Sequence, residues 1–255
     1  MNKKKGRDDF GRRRHRGRRR SSSIFKKGFN QNQAVGFKTS YGENVSKGVA
    51  FLPRSLNCPM TMHLIRKYKI QVLVDATPIY FKGASLKIMS ACRITGTRYI
   101  RFEPPALRLN GSQGVFRVRN FEEASEKAMG FGKTIFLNIG NNNINIFTKK
   151  GAKRNKRIVI RVSERGALTN SLNFGIKCHD ILLIDGVFSE AFTHGLIKEY
   201  DISVFVTRDL GEGNGVAEEV KAASSEKVPV VLIERPTLNY KELITDCNKL
   251  SQAIS

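Results

Sequence analysis

Short apolar runs alternate with segments of helical periodicity along most of this chain, and that alternation limits its fold more than any other feature. Ile70–Ala76 (IQVLVDA) reads as a buried strand, followed by a helix over Ile79–Ile94. The apolar pattern recurs at Arg98–Phe102, Thr134–Ile139, Arg157–Val162, Ile181–Ile184, Ile202–Thr207 and Val228–Ile233. Between these runs, Phe121–Met129, Val216–Ser224 and Tyr240–Ile254 read as helices, and a helical segment follows Val162. Ser189 caps another helix, with Phe192, Leu196 and Tyr200 on one face. Upstream, Ala34–Lys38 and Val49–Leu52 are shorter strands, and Asn57 caps a helix with Pro59 in its first turn. Strands separated by helices need crossover connections, so the pattern predicts parallel sheets built from β-α-β units. The expected class is α/β, with two doubly wound lobes and a cleft between them. Pro104-Pro105 cannot continue a paired strand and marks the boundary or hinge.

The 255 residues suffice for such a pair of cores. No apolar run approaches the roughly 20 residues needed to cross a bilayer, and the N-terminus, charged from its third residue, predicts no secretory signal. Four widely spaced cysteines form no C-x-x-C pair, which points to reduced thiols in the cytoplasm and to neither a zinc site nor a disulfide framework. Net charge is +23, of which residues 1–27 carry +11 and the remainder +12. Residues 1–32 lack periodicity and are expected to be a disordered basic tail, able to meet nucleic acid through its arginines. The basic body needs a separate reason, which an anionic cofactor and a polycarboxylate substrate would supply.

In doubly wound folds, ligands lie at the carboxyl ends of strands, where the winding order reverses. Asp75-Ala76-Thr77-Pro78 ends the strongest strand of the first half and suits either a ligand edge or a helix N-cap. Arg98 and Arg101 flank the strand before the double proline and suit carboxylates or a solvated edge. Thr207-Arg208-Asp209 leads into Gly211-Glu212-Gly213-Asn214-Gly215, a loop before a helix whose amides could meet an anion. It lacks the third glycine of a full G-x-G-x-x-G pattern, and a plain β-α turn explains it as well. Gly130–Thr134 resembles part of a P-loop, but its strand follows instead of preceding it. The four histidines are scattered, and no Ser-His-Asp or Cys-His constellation is legible. Hydride transfer, in which a cofactor carries the chemistry, is compatible with that absence.

Over about residues 39–240 the chain resembles the precorrin-6A reductases, including the cobalt-precorrin form. The segments are TSYGE (Thr39–Glu43), LIRKYKIQVLVDAT (Leu64–Thr77), GTRYIRFEPP (Gly96–Pro105), TIFLNIG (Thr134–Gly140), DGVFSE (Asp185–Glu190), ISVFVTRDLG (Ile202–Gly211) and VPVVLIERP (Val228–Pro236). The resemblance implies two Rossmann-like lobes: a dinucleotide-binding lobe over residues 33–105, lacking its first strand, and a second over 106–255. It implies NADPH and a polycarboxylate tetrapyrrole held between them, with hydride delivered to the ring system. The chain is further expected to be a cytoplasmic monomer without a metal, and the competing readings are a nucleic-acid-binding protein working through its basic tail and an inactive relic of the reductase. Thr39, Ser40 and Tyr41 would lie near the adenosine end, and Asp75, Ala76 and Thr77 near the cofactor. Tyr80, Arg101, Thr207, Arg208, Asp209 and Gly211 would face the substrate or the nicotinamide.

The family's opening strand and Gly-Gly-Thr loop have no counterpart in residues 1–32, and its Asp-Ala-Thr-His-Pro becomes Asp75-Ala76-Thr77-Pro78 without the histidine. Arg208 and Leu210 replace its usual Lys and Ser, and Val187 its proline. One hypothesis accounts for the abrupt start: the tail is an out-of-frame reading of the first β-α unit, rejoining the frame near Ala34. Translating the other two frames tests it. Failure to find an apolar strand followed by Gly-Gly-Thr in either frame refutes it.

Overall fold

The computed structural model describes residues 57–109, 113–140 and 143–254, together with the backbone of two short strands upstream. The basic tail and Thr39, Ser40 and Tyr41 lie outside the described residues. Every strand pairing is parallel. β1 (Ala34–Phe37) pairs with β2 (Val49–Leu52) and lies beside β3 (Val72–Asp75). β3, β4 (Arg98–Phe102) and β11 (Leu243–Ile244) form a sheet in the order β11-β4-β3. The second sheet has six strands in the order β5-β10-β9-β6-β7-β8. They are β5 (Val115–Val118), β6 (Thr134–Asn138), β7 (Arg157–Val162), β8 (Ile181–Leu183), β9 (Val204–Arg208) and β10 (Val230–Ile233).

The helices are α1 (Cys58–Lys67), α2 (Lys82–Thr95), α3 (Phe121–Met129) and α4 (Ile144–Lys153). They continue as α5 (Arg165–Asn173), α6 (Glu190–Glu199), α7 (Val216–Ser225) and α8 (Cys247–Ile254). From β6 the chain winds outward through β7 to β8, then returns with β9 to the other side of β6. The switch point of the second sheet therefore lies between the carboxyl ends of β6 and β9.

Alternation across this sheet feeds two cores. Leu137, Ile139, Ile160, Val206 and Ile233 share one face with Ala124 and Phe147 of α3 and α4. Phe136, Val159, Phe205 and Leu232 share the other with Ile197 and Val220 of α6 and α7. Strands buried on both faces read as continuous apolar runs, which is why β6, β9 and β10 are so plain in the sequence.

The structure adds elements that periodicity does not predict. α4 arises from an Asn-rich stretch that looks like a loop, yet it buries Ile144, Phe147 and Gly151 on one face. β5 has only four residues, with an exposed Arg117 among them. The expected closing helix over Tyr240–Ile254 is corrected: β11 first pairs with β4, and the helix begins only at Cys247. Asp246 sets that start, accepting the amides of Asn248 and Lys249 at 2.9 Å. α8 then packs Leu250 and Ile254 on Val74 and Ile100, so the chain returns to the first sheet. Arg98 secures the return through a two-nitrogen pair with Glu242, Nη2 to Oε1 at 2.6 Å and Nε to Oε2 at 3.1 Å. It is thereby occupied and is not a carboxylate receptor.

Candidate active site

The carboxyl edge of the first sheet is built around Asp75. Its Oδ1 accepts the Thr77 amide at 2.9 Å and meets Arg101 Nη1 at 3.0 Å, while Oδ2 accepts the Tyr99 hydroxyl at 2.7 Å. Arg101 is fully buried; it donates to the Thr77 carbonyl and hydroxyl at 2.8 and 3.0 Å and pairs with Glu103 at 2.8 Å. Burial opposes charge on this guanidinium, but Asp75 and Glu103 outweigh it and hold its pKa above the usual value. The cluster shapes the loop from Asp75 to Pro78. Arg101 and Asp75 have therefore spent their polar atoms on the fold, and the expected contact of Arg101 with substrate gives way to an interior role. Ala76 is exposed at the same edge, between buried Asp75 and Thr77.

Arg208 stands at the switch point, directly after Thr207 on β9 and across from Gly140 after β6. Burial lowers its pKa, and its Nε finds no hydrogen-bond acceptor. Among the described residues no carboxylate pairs with it. Its guanidinium instead lies 4.8 Å from the centre of the Tyr80 ring. Gly140 has φ +75°, and a Cβ there would come 2.8 Å from Arg208 Nη2. A partly desolvated cation without an acidic partner is unfavourable, and an anion at this edge would relieve that cost.

Tyr80 joins the two lobes. Its hydroxyl, whose pKa burial pushes up, donates to the Ile233 carbonyl at 2.7 Å, and its ring meets Phe121 edge-on at 6.2 Å. Beside it opens a cleft of about 460 Å³, lined by residues 80–84 and Lys87 of the first lobe and by Arg119–Phe121, Ile233, Glu234 and Pro236 of the second. Lys82, Lys87 and Arg119 against Glu234 make it basic. The first turn of α2 holds no acid, and no side chain caps it. Helix amides and lysines together favour anions.

The Gly211–Gly215 loop does not share that character. Gly211, Gly213 and Gly215 all take positive φ, as the turn requires, but α7 opens with Glu218 and Glu219 in its first turn. Two carboxylates there disfavour a phosphate. A Cβ on Gly211 would meet the Pro105 carbonyl at 2.7 Å, so this glycine serves the junction of the lobes. Asp209 does so too, through Arg235: Nη2 lies 2.9 Å from Oδ1, and Nη1 donates to the Pro104 carbonyl at 3.0 Å. Thr207 is buried and donates to Glu219 at 3.3 Å. Of the residues expected at the site, the structure brings Tyr80 and Arg208 together, leaves Ala76 open, and uses Asp75, Thr77, Arg101, Thr207, Asp209 and Gly211 as framework.

Sequence reasoning missed Lys82, Lys87, Arg119 and Glu219. A lysine opening a helix directly after a strand–loop unit, with a second five residues on, was the available signal for the first two.

Three other polar groups lie apart from the cleft. Ser225, His194 and Glu226 line up at 3.3 and 2.9 Å in the manner of a hydrolytic triad. Ser225 Oγ also lies 2.9 Å from the Ala222 carbonyl, within hydrogen-bonding distance, at the C-terminus of α7. A helix C-terminus repels an oxyanion, so the arrangement has no hydrolytic use.

Fold and site together define a class: a parallel α/β protein whose two sheets present their carboxyl edges to a shared basic cleft. Residues 22–255 match the family described as precorrin-6x reductase CbiJ/CobK, and the chain belongs to that family. The match starts upstream of Thr39, where the legible resemblance begins. The cobalt-precorrin-6A reductase of Methanothermobacter thermautotrophicus is 33% identical over 174 residues, which are 67% of this chain and 56% of that protein. This chain thus spans little more than half of that relative's length. The cobalt-precorrin-6A reductase of Methanocaldococcus jannaschii is 28% identical over 226 residues, 85% of this chain and 86% of that protein. The solved structure of CobK precorrin-6A reductase superposes with a TM-score of 0.71 at 16% identity, covering 91% of this chain and 89% of its own, and shares the fold.

Proposed function

We propose that this chain reduces precorrin-6A, or its cobalt-containing counterpart, by hydride addition to the tetrapyrrole ring with NADPH as the reductant. The carrying observation is Arg208, a half-buried guanidinium with a buried, unpartnered Nε and no acidic partner among the described residues, lying over the ring of Tyr80, which itself lines the basic cleft. A polycarboxylate ring supplies the missing charge, and the membership of the family supplies the reaction class.

The residues present fit a nicotinamide dinucleotide at the first lobe better than at the second. Exposed Ala76, the uncapped start of α2 and Lys82 and Lys87 would hold the anionic cofactor, with Thr39, Ser40 and Tyr41 toward its adenosine end. When bound, the nicotinamide supplies the hydride, and a proton from solvent or a side chain completes the reduction. Tyr80 and Phe121 present an apolar wall that orients the ring and limits water. Arg208 and Arg119 hold substrate carboxylates; Arg101, Thr207, Asp209 and Gly211 keep these groups in place. The same reading makes the protein a cytoplasmic monomer. Among the described residues no helix is long and apolar enough to cross a membrane.

Thermal melting in the presence of NADPH tests the cofactor half. A ligand at a hundred times its Kd stabilises the folded state by about 2.7 kcal/mol, so the midpoint should climb with concentration. A midpoint indifferent to NADPH at every concentration rejects it.

A further inference from the structure

Glu219 sits on the face of the six-stranded sheet opposite the cleft, only 3% exposed. Its carboxylate takes hydrogen bonds from three consecutive strands. Asn138 of β6 donates at 2.7 and 2.8 Å, Arg161 of β7 at 3.0 Å, and Thr207 of β9 at 3.3 Å. The donors form one row: Asn138 and Thr207 are register partners, and Arg161 stands one step beyond the Leu137–Ile160 pair. Burial pushes the pKa of Glu219 up, while Arg161, Asn138 and Thr207 oppose that shift. A buried carboxylate is a weak source of stability compared with an apolar side chain, but it can specify one arrangement.

The strand ends it joins are those that bound the switch point. Thr207 immediately precedes Arg208, and Asn138 lies two residues before Gly140, which Arg208 covers. Successive side chains of a strand point to opposite faces, so fixing Thr207 behind the sheet fixes Arg208 in front. We infer that Glu219 is a positioning residue for tetrapyrrole recognition, acting through Arg208 by clamping the carboxyl ends of β6, β7 and β9 from behind. The inference rests on the reading of Arg208 as a contact for an anionic tetrapyrrole.

Uroporphyrin I, a polycarboxylate tetrapyrrole, serves as the probe, with its dissociation constant followed by fluorescence quenching in the absence of cofactor. The proteins are the wild type, R208Q, E219A and the double variant, each checked by thermal melting. E219A should weaken binding about tenfold, and R208Q at least as much, whereas the double variant should bind no worse than R208Q alone. Independent effects that multiply in the double variant would overturn the inference, because a general loss of structure would add to the loss of Arg208. E219A binding like the wild type while R208Q is weakened would overturn it as well and leave the reading of Arg208 intact. R208Q binding like the wild type would overturn the reading of Arg208 itself. If E219A does not fold, E219Q, which keeps the side-chain size and one carbonyl acceptor, takes its place in the same cycle.

Discussion

Arg235 holds the carboxylate of Asp209 with two nitrogens, Nη2 at 2.9 Å from Oδ1 and Nε at 3.3 Å from Oδ2. Its Nη1 and Nη2 also reach the carbonyls of Pro104 and Pro105 at 3.0 and 3.3 Å. Glu103 follows at 3.7 Å and pairs in turn with Arg101, which pairs with Asp75. Charges of alternating sign thus run from the end of β9 to the end of β3 past the double proline. The linker is a fixed corner, and the cleft beside Tyr80 is held at a set width.

Replacing Arg235 with alanine leaves Asp209 buried without its cation. Breaking one side of a buried pair costs about 3–5 kcal/mol, and the slight exposure of Arg235 argues for the lower end. Urea denaturation should show a stability loss of about 3 kcal/mol, together with faster proteolysis near Pro105. A variant as stable and as resistant as the wild type would contradict the fixed corner.

Gly140→Ala should harm both stability and anion recognition. The left-handed backbone at φ +75° costs a side chain about 1–2 kcal/mol, and the new Cβ would collide with Arg208 Nη2. Equilibrium unfolding should register the loss, and porphyrin binding should weaken even where the variant remains fully folded. Unchanged binding in folded Gly140→Ala would separate Gly140 from the site.

Inorganic phosphate should stabilise the wild type more than R208Q, which keeps the lysines and the start of α2. An anion that binds the folded state raises its melting point by mass action, and Arg208 has a buried Nε without an acceptor and no carboxylate partner among the described residues. Melting curves with phosphate, and with chloride at matched ionic strength, distinguish this from general screening. Equal shifts in both proteins would remove Arg208 from the anion site.

Cys92 gives a pH dependence of known sign. Burial, then the nearby Asp75 carboxylate, raises its thiol from 9.0 to about 12. A group whose folded-state pKa is raised contributes stability that is fully present below its unfolded pKa and is lost as pH rises through the folded value. Unfolding free energy should therefore fall between about pH 9 and about pH 12 in the wild type, and C92A should show a shallower slope. At pH 8, iodoacetamide should modify exposed Cys178 and spare Cys92. Rapid alkylation of Cys92 in folded protein would contradict its burial.

The apolar strands were legible because burial on both faces removes any ambiguity from Ile135–Leu137 or Val230–Ile233. That strand ends carry polar groups was legible for the same topological reason, and Tyr80 and Arg208 pack on each other near such ends. What could not be read was pairing at a distance. Arg101 and Asp75 have the composition of a binding edge, but their occupation by each other is set by the register of β3 against β4. Asp209 likewise looks free until Arg235, beyond the end of β10, is brought to it. β11 has only two residues, and its place follows from contacts with β4 that no local period encodes. Glu219 was hidden because an acid in the first turn of a helix is ordinary. Only the row of Asn138, Arg161 and Thr207 gives it meaning.

The most direct measurement is turnover by the purified chain supplied with cobalt-precorrin-6A and NADPH, followed by the loss of reduced-nicotinamide absorbance and by the mass of the tetrapyrrole. The account predicts one NADPH consumed for each ring that gains a hydride and a proton, with R208Q markedly impaired. NADPH that stays reduced while the folded wild-type protein and intact substrate are both present would contradict it.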